Sequence, residues 1–309
     1  MSHLEYLVQQ LINGLTIGAV YALIALGYTM VYGIIELINF AHGEIYMIGA
    51  YVGIITLAFL TSYGLTQTSL VLTMGIVLIV SMVYCSAYGF TIERIAYRPL
   101  RQAPRLSPLI TALGMSIFLQ NYVMLTQGAR DKFFPALFTG GVNVGEEIRI
   151  SYIQAFIMVI SVLLMIALQL FIKNTKLGKA MRATAQDKKM ASLVGINIDR
   201  VISTTFIVGS SLAAVAGIMV GMYYGLVNFV IGYVAGLKAF TAAVLGGIGN
   251  IAGAMLGGFL LGMLEAFAAG YIPPPHGAQY KDVFAFAILV IVLIFRPSGL
   301  LGEQVAEKV

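Results

Sequence analysis

The sequence predicts an all-α polytopic membrane protein, and three observations support this fold class. The 309 residues are 60% hydrophobic and 10% charged, with a mean hydropathy of +0.93, whereas about a quarter of the residues in a soluble domain are charged. Apolar segments of roughly 20 residues, the length that crosses a bilayer as a helix, recur along the whole chain. Eleven of the 18 basic residues lie in two short segments between them. This pattern excludes a water-soluble domain.

The apolar segments set the number of crossings. They fall at 7–33, 45–62, 70–92, 108–127, 152–172, 201–224, 226–248, 251–271 and 282–296. Because lipid offers backbone groups no hydrogen-bond partner, we expect each segment to be helical. The sequence thus predicts a single transmembrane domain over residues 1–309 with eight or nine crossings. The segment 226–248 is rich in glycine and holds Lys238, which favours a broken or re-entrant helix there.

The distribution of basic residues predicts the orientation. Loops 93–105 and 173–200 hold four and seven basic residues, respectively, and should be cytoplasmic. Loop 128–151 has balanced charges and should lie outside. Three plain spans before residue 93 would put the N-terminus outside. One further crossing or a re-entrant piece would put it inside, and the sequence leaves this open.

The stretch "ELINFAHGE", residues 36–44, places several polar residues at the start of an apolar segment. Polar groups at membrane depth are costly, so they pair with each other or line a wet path. Two interpretations of Asn39, His42 and Glu44 remain open: a buried polar staple between helices, or part of a substrate path or gate. A metal site and a catalytic site are not predicted, because too few ligands or nucleophile–base pairs accompany these residues.

Lys238 and Glu265 are charged residues within otherwise apolar segments. A glycine-rich turn near Asn250 separates the two segments, which should form an antiparallel hairpin. At about 1.5 Å per residue, the two charges lie about 18 and 22 Å from the turn, at similar depth. They are candidates for an intramembrane ion pair or a shared wet cavity. Alternatively, each charge reaches water separately.

Small residues recur every four positions after that turn, at Gly249, Gly253 and Gly257. This spacing lets helix backbones approach closely in lipid and predicts a helix-packing face. The sequence does not indicate whether the neighbouring helix belongs to this chain or to a partner subunit.

Loop 173–200 reads "KNTKLGKAMRATAQDKKMASLVGINIDR". Its central part, 179–194, combines basic residues with an apolar set and predicts one short amphipathic helix at the cytoplasmic face, which glycines flank on both sides. From the residues alone, a helix that only lies on the membrane surface explains the pattern as well as one that binds a partner.

Several motifs, taken in order, resemble one family. The stretches "GYTMVYGIIELINFAHGE", "TIERIAYRPLR", "LGMSIFLQNYV", "GKAMRATAQDKKMASLVGINIDRV" and "KAFTAAVLGGIGNIAGAMLGG" cover most of the chain. They resemble LivH-type permease subunits of branched-chain amino acid ATP-binding-cassette (ABC) importers. By this resemblance, loop 173–200 is a coupling loop that contacts an ATPase. Its residues of interest are Gly178, Arg182, Asp187, Ala191 and Gly195.

The resemblance implies an ABC importer permease fold and import of leucine, isoleucine and valine across the bacterial inner membrane. It also implies a second, LivM-like permease subunit, two cytoplasmic ATPase subunits and a periplasmic substrate-binding protein as partners. No cofactor is expected in this chain, because the sequence contains no G-x-x-x-x-G-K-[ST] phosphate-binding loop and ATP should bind the partners. The alternatives are an ABC permease for urea or short amides, and a passive channel or secondary transporter.

Overall fold

A computed structural model describes residues 3–101, 103–104, 106–144, 147–273, 277 and 279–302. Arg105, part of the first predicted basic loop, lies outside these residues. The described helices, in chain order, are α1 (His3–Ile35), α2 (His42–Ser62), α3 (Leu65–Thr68), α4 (Leu70–Ile92), α5 (Leu106–Gln127), α6 (Tyr152–Asn174), α7 (Lys176–Gln186), α8 (Lys188–Leu193), α9 (Ile198–Tyr224), α10 (Ile231–Gly246), α11 (Ile251–Tyr271) and α12 (Lys281–Phe295). A π-helical turn (Glu93–Tyr97) and a 3₁₀ turn (Arg98–Leu100) continue α4.

Each predicted apolar segment corresponds to one of these helices. Among the described residues, seven helices are long and apolar enough to cross a membrane: α1, α2, α4 with its two added turns, α5, α6, α9 and α11. The remaining two segments form α10 and α12, which are shorter at 16 and 15 residues. The prediction of an all-α polytopic membrane protein is therefore confirmed.

Short strands occur only in loops among the described residues. Strand β1 (Lys132–Phe133) pairs antiparallel with β4 (Leu226–Val227), and β2 (Gly141–Val144) pairs antiparallel with β3 (Ile148–Ser151). The first pair ties the loop after α5 to the loop after α9, and the second forms a hairpin within the loop after α5.

Polar caps explain where many helices begin. A side-chain oxygen at the N-cap accepts a hydrogen bond from a free backbone N–H of the first turn. The caps are Ser69 for α4, Ser151 for α6, Thr175 for α7, Asp187 for α8, Asn197 for α9 and Asn250 for α11. The cap at Ser151 is a full capping box, in which the Gln154 side chain bonds back to the Ser151 backbone.

The helices at the centre differ sharply in burial from those at the periphery. In the most apolar stretches of α1 and α9, 83% and 78% of the residues are buried, against 22–28% in α4, α5 and α6. Helices α1 and α9 therefore form the core of the fold, and the outer faces of α4, α5 and α6 are left for lipid or other subunits.

Contacts between loops show which of them share a face with each end of α1. Near the start of α1, Gln9 exchanges hydrogen bonds with the Arg149 backbone, so this end lies at the face of loop 128–151. Just beyond the other end of α1, Glu36 pairs with Lys188 of the second basic loop at 3.3 Å. Both basic loops share that face, because Arg98 and Arg101 pair with Asp199. The prediction that the basic loops are cytoplasmic therefore puts the N-terminus outside.

The backbone between α1 and α2 re-enters the protein. Glu36 adopts a left-handed conformation with φ 59° and turns the chain back after α1. Helix α2 then starts at His42, whose ring lies against Gly27, eight residues before the end of α1. Helix α2 thus begins about 12 Å deeper than α1 ends, by the helical rise per residue. It runs from the interior to the outer face.

The expectation of a helix break at 226–248 is wrong, because Ile231–Gly246 forms one helix of 16 residues; that the segment is re-entrant stays a prediction. Helix α10 is continuous there, and the irregular backbone lies at 36–41 instead. The glycines of α10 allow close approach, since Cβ atoms at Gly232 or Gly236 would crowd the backbone of Gly43 at the start of α2. Glycine here serves the contact between two helices and does not interrupt one.

The glycine face predicted after Asn250 packs within this chain. A Cβ at Gly257 would collide with the Ala242 carbonyl oxygen, and one at Gly253 would collide with that of Gly246. Both contacts join α11 to α10 as an antiparallel hairpin. Gly249 has a different role, because its φ of +94° belongs to the turn before α11.

A second small-residue face of α11 packs on α1. Cβ atoms at Gly258 and Gly262 would overlap the backbone of Ala22 and Gly18, respectively. Helix α11 is therefore held between α1 and α10, with backbone against backbone on both sides.

Candidate substrate path and cytoplasmic loop

The side chains of Asn39, His42 and Glu44 are buried but make no hydrogen bond to one another. Asn39 Oδ1 accepts a hydrogen bond from the Tyr97 hydroxyl at 2.8 Å. Glu44 Oε1 accepts one from the Ser116 hydroxyl at 2.9 Å. Asn39 thus links the segment before α2 to the turn after α4. Glu44 links α2 to α5.

The same cluster holds polar atoms that remain unsatisfied. Asn39 Nδ2, His42 Nε2 and Glu44 Oε2 are buried and have no hydrogen-bond partner among the described residues. An unsatisfied buried polar atom costs about 1–3 kcal/mol, which a purely structural staple would avoid. The geometry fits both the staple and the path interpretation in part. Glu44 Oε1 joins α2 to α5 through Ser116, as a staple would, whereas Oε2 has no partner in the described part of the chain and could bind a group that passes through the protein.

A cavity of about 400 Å³ lies above this cluster, towards the outer face. Residues of α1, α2, α6, α9, α10 and α12 line it. Its walls are mostly apolar, with several tyrosines. Tyr46 of α2, one turn after His42, contributes to the lining, so the cavity and the polar cluster meet at the interface of α2 and α10.

Lys238 and Glu265 form an ion pair beside this cavity. Both residues are only 4% exposed. The Tyr21 hydroxyl donates to Glu265 Oε2 at 2.7 Å and lies 3.3 Å from Lys238 Nζ. Asp282 Oδ1 approaches Lys238 Nζ at 2.6 Å. The two predicted charges are thus the centre of a four-residue network.

Tyr21 and Asp282 are members of this network that the sequence did not single out. Tyr21 lies 244 positions before Glu265 and is one of 17 tyrosines, so no sequence signal distinguishes it. Asp282 could have been found from the sequence. It lies with Lys281 at the start of the last apolar segment, where a charged side chain can reach inward.

The cytoplasmic loop differs from the single helix that we predicted. It forms two helices, α7 and α8, because Asp187 adopts an extended conformation and caps α8 by accepting hydrogen bonds from the backbone N–H groups of Lys189 and Met190. Gly178, expected before the helix, lies in the first turn of α7 and donates its N–H to Thr175 Oγ1.

Three other predicted residues of the loop have structural contacts within the chain. Arg182 Nη1 donates to the Ile172 carbonyl oxygen at 2.7 Å and ties α7 to the end of α6. Ala191 is 3% exposed, and its carbonyl accepts from the Ile196 N–H. Gly195 has a φ of +87° and ends α8 with a left-handed turn.

The tip of the loop instead exposes larger apolar side chains. Met190, Leu193 and Val194 are 62%, 80% and 76% exposed, respectively. Apolar side chains that cluster on an exposed surface mark interaction sites. The sequence pattern groups Met190 and Val194 with buried Ala191 on one helix face, and it does not reveal that they point away from the chain.

A charged network supports the base of this loop. Glu93, fully buried, pairs with Arg101 and accepts a hydrogen bond from the Ser203 hydroxyl at 2.6 Å. Arg98 and Arg101 both pair with Asp199 in the first turn of α9. These contacts fix loop 93–105 to α9, the helix that follows loop 173–200.

The fold and these sites define a class: a multi-pass helical membrane protein, with a mixed-charge cavity among its central helices and an apolar-tipped loop on the face of the two basic loops. A sequence profile described as "Branched-chain amino acid transport system / permease component" matches residues 10–293. The chain belongs to this family.

Relatives along the full length agree with this assignment. The chain is 54% identical to the high-affinity branched-chain amino acid transport system permease protein BraD of Pseudomonas aeruginosa, with 100% of each chain covered. It is 53% identical to the corresponding protein LivH of Escherichia coli K12, with 98% of each covered.

Among solved structures, PsaBC from Streptococcus pneumoniae in complex with Fab aligns at a TM-score of 0.45 and 14% identity, over 96% of this chain and 92% of that one.

Proposed function

We propose that this chain is the membrane-spanning permease subunit of a binding-protein-dependent ABC importer for leucine, isoleucine and valine in the bacterial inner membrane. ATPase subunits in trans energise it, and the chain itself holds no ATP or other cofactor. Its partners are a second, LivM-like permease subunit, two cytoplasmic ATPases and a periplasmic substrate-binding protein.

One observation carries this proposal beyond family membership: the exposed apolar tip of loop 173–200. Apolar side chains that are exposed together mark an interaction site, which either lipid or a protein partner could cover. Here the loop buries Ala191 in its own fold and leaves Met190, Leu193 and Val194 uncovered. Such a protrusion on a rigid base fits a groove on an ATPase subunit.

The complete transporter, reconstituted in vesicles with each partner omitted in turn, tests the proposal. We expect leucine uptake to require the ATPases and the binding protein. Uptake that persists without ATPase would instead indicate a passive channel or a secondary transporter. A preference for urea or short amides over leucine would identify the other substrate class.

A variant of the loop tip tests the docking site separately. Leu193→Asp should prevent copurification of the ATPase and abolish uptake, while the protein still inserts into the membrane. Leu301→Asp is a matched control, because Leu301 is an exposed cytoplasmic leucine, 44% exposed, outside the loop. Equal ATPase recovery from the two variants would contradict docking at the tip.

A further inference from the structure

The cavity of about 400 Å³ combines apolar walls with one charged end. Val20, Ile157, Val220 and Val234, from four different helices, contribute to the walls. This volume falls in the range of small-molecule sites, about 300–1,000 Å³. The walls suit a branched aliphatic group, which gains free energy from leaving water.

The charged end carries both signs in equal number. Lys238 and Lys281 supply two positive charges, and Asp282 at the lining together with Glu265 behind Lys238 supplies two negative ones. Lys281 Nζ lies 5.8 Å from the centre of the Tyr224 ring, at the same side of the cavity. A site of this kind has no net charge, yet it offers strong partners to an ammonium and a carboxylate together.

The cavity is accessible from outside and closed below. Tyr224, Leu226 and Val230, at its outer end, are 48%, 42% and 38% exposed, respectively. Below Lys238, towards the turn before α11, Ala239, Thr241 and Ala242 are completely buried, and α11 packs backbone against backbone on α10 at Gly257 and Ala242. A solute that arrives from the outer face therefore reaches the charged end and stops there.

From these observations we infer that the cavity is a transient binding site for the transported solute, and that this solute is a zwitterionic α-amino acid with an aliphatic side chain. The α-carboxylate binds at Lys238 and Lys281, the α-ammonium binds at Asp282, and the side chain packs on the valines and Ile157. This inference rests on the proposed transport function and adds a site and a chemical basis for selection within the membrane. An uncharged amide would offer these groups no charged partner.

Photocrosslinking in the complete reconstituted transporter locates the site directly. A diazirine analogue of leucine is illuminated during ATP-driven uptake, and the labelled peptides are mapped by mass spectrometry. We expect label on the cavity-lining residues of α6, α9 and α10. Label confined to other parts of the transporter would overturn the inference.

A cavity-filling variant provides the second test. Val234→Trp should reduce both label and uptake at least on the order of tenfold, since the indole occupies the space of the substrate. Val290→Trp is the matched control, because Val290 is an exposed valine of α12, 54% exposed, that does not line the cavity. Equal uptake by the two variants would overturn the inference.

A charge-neutral variant tests the role of the charged end. Lys238→Met combined with Glu265→Gln leaves no unpaired charge at the pair, so the complex should assemble, while the KM for leucine rises on the order of tenfold. An unchanged KM for leucine would contradict the binding of a zwitterion at this charged end. Wild-type transporter that shows no ATP-dependent uptake would refute the proposed function itself, whereas normal uptake with label elsewhere refutes only this site.

Discussion

Removal of the Lys238 ammonium alone should destabilise the protein strongly. In the structure, Lys238 Nζ lies between the carboxylates of Glu265 and Asp282 and next to the Tyr21 hydroxyl. Lys238→Met leaves the Glu265 carboxylate, 4% exposed, with Tyr21 as its remaining donor among the described residues. Breaking a buried pair in this way costs about 3–5 kcal/mol. Asp282, with a side chain 44% exposed, keeps contact with water and adds little to this loss.

Compensating substitutions should recover this loss to different extents. Lys238→Met with Glu265→Gln removes both charges, so the cost should fall to roughly 1 kcal/mol, the net value of the lost hydrogen bonds. The exchange Lys238→Glu with Glu265→Lys restores a pair of opposite charges. It also brings the new carboxylate at position 238 close to Asp282, and two like charges about 4 Å apart repel by roughly 4 kcal/mol at an effective dielectric constant of 20. Exposure of Asp282 reduces this repulsion, so the exchange should recover about half of the loss.

The assay compares the yield of purified complex and the apparent free energy of unfolding, measured by SDS titration in mixed micelles. The expected order of stability is wild type, neutral double variant, charge exchange and the two single variants. Addition of Asp282→Asn to the charge exchange should raise its stability, because it removes the repulsion. A double exchange no more stable than the worse single variant, or a loss below about 1 kcal/mol for Lys238→Met, would refute direct pairing.

Two further predictions follow from the polar cluster and the glycine contacts. Glu44→Gln keeps an oxygen that accepts from Ser116, so complex yield should stay near that of wild type while uptake falls; parallel loss of both would favour the staple. Gly257→Leu should abolish assembly, because even its Cβ would collide with the Ala242 carbonyl. Gly75→Leu, on α4 where a Cβ would meet nothing within 4 Å, should leave the yield unchanged, and equal yields would contradict the packing role.

Helix positions were predictable because lipid imposes both a length and a composition on each span. The limits of 70–92 and 251–271 agree with α4 and α11 to the residue, since a polar cap precedes each helix. The glycines of 226–248 led to a wrong prediction because glycine permits two outcomes, a break or a close approach. Only the position of a neighbouring helix, here α2, decides between them.

The candidate sites were predictable only where their residues lie close in sequence or depth. Lys238 and Glu265 lie on the two helices of one hairpin. Their similar distances from its turn therefore predicted that they lie at the same depth in the membrane. Tyr21 joins them through tertiary packing alone, and composition does not mark it. In the cytoplasmic loop, Asp187 was a recognisable helix cap that divides the segment. The orientation of Leu193 depends on that division, which is why a single-helix interpretation missed it.

The tight seating of α11 between α1 and α10 has a mechanical consequence for a transport cycle. Backbones that meet without side chains between them leave little room for one of these three helices to shift alone. Tyr21, Lys238 and Glu265 each belong to a different one of the three, so their mutual contacts depend on this packing. Asp282 lies on α12, outside the three. Its contact with Lys238 is therefore the part of the charged network that a shift of α12 would alter first.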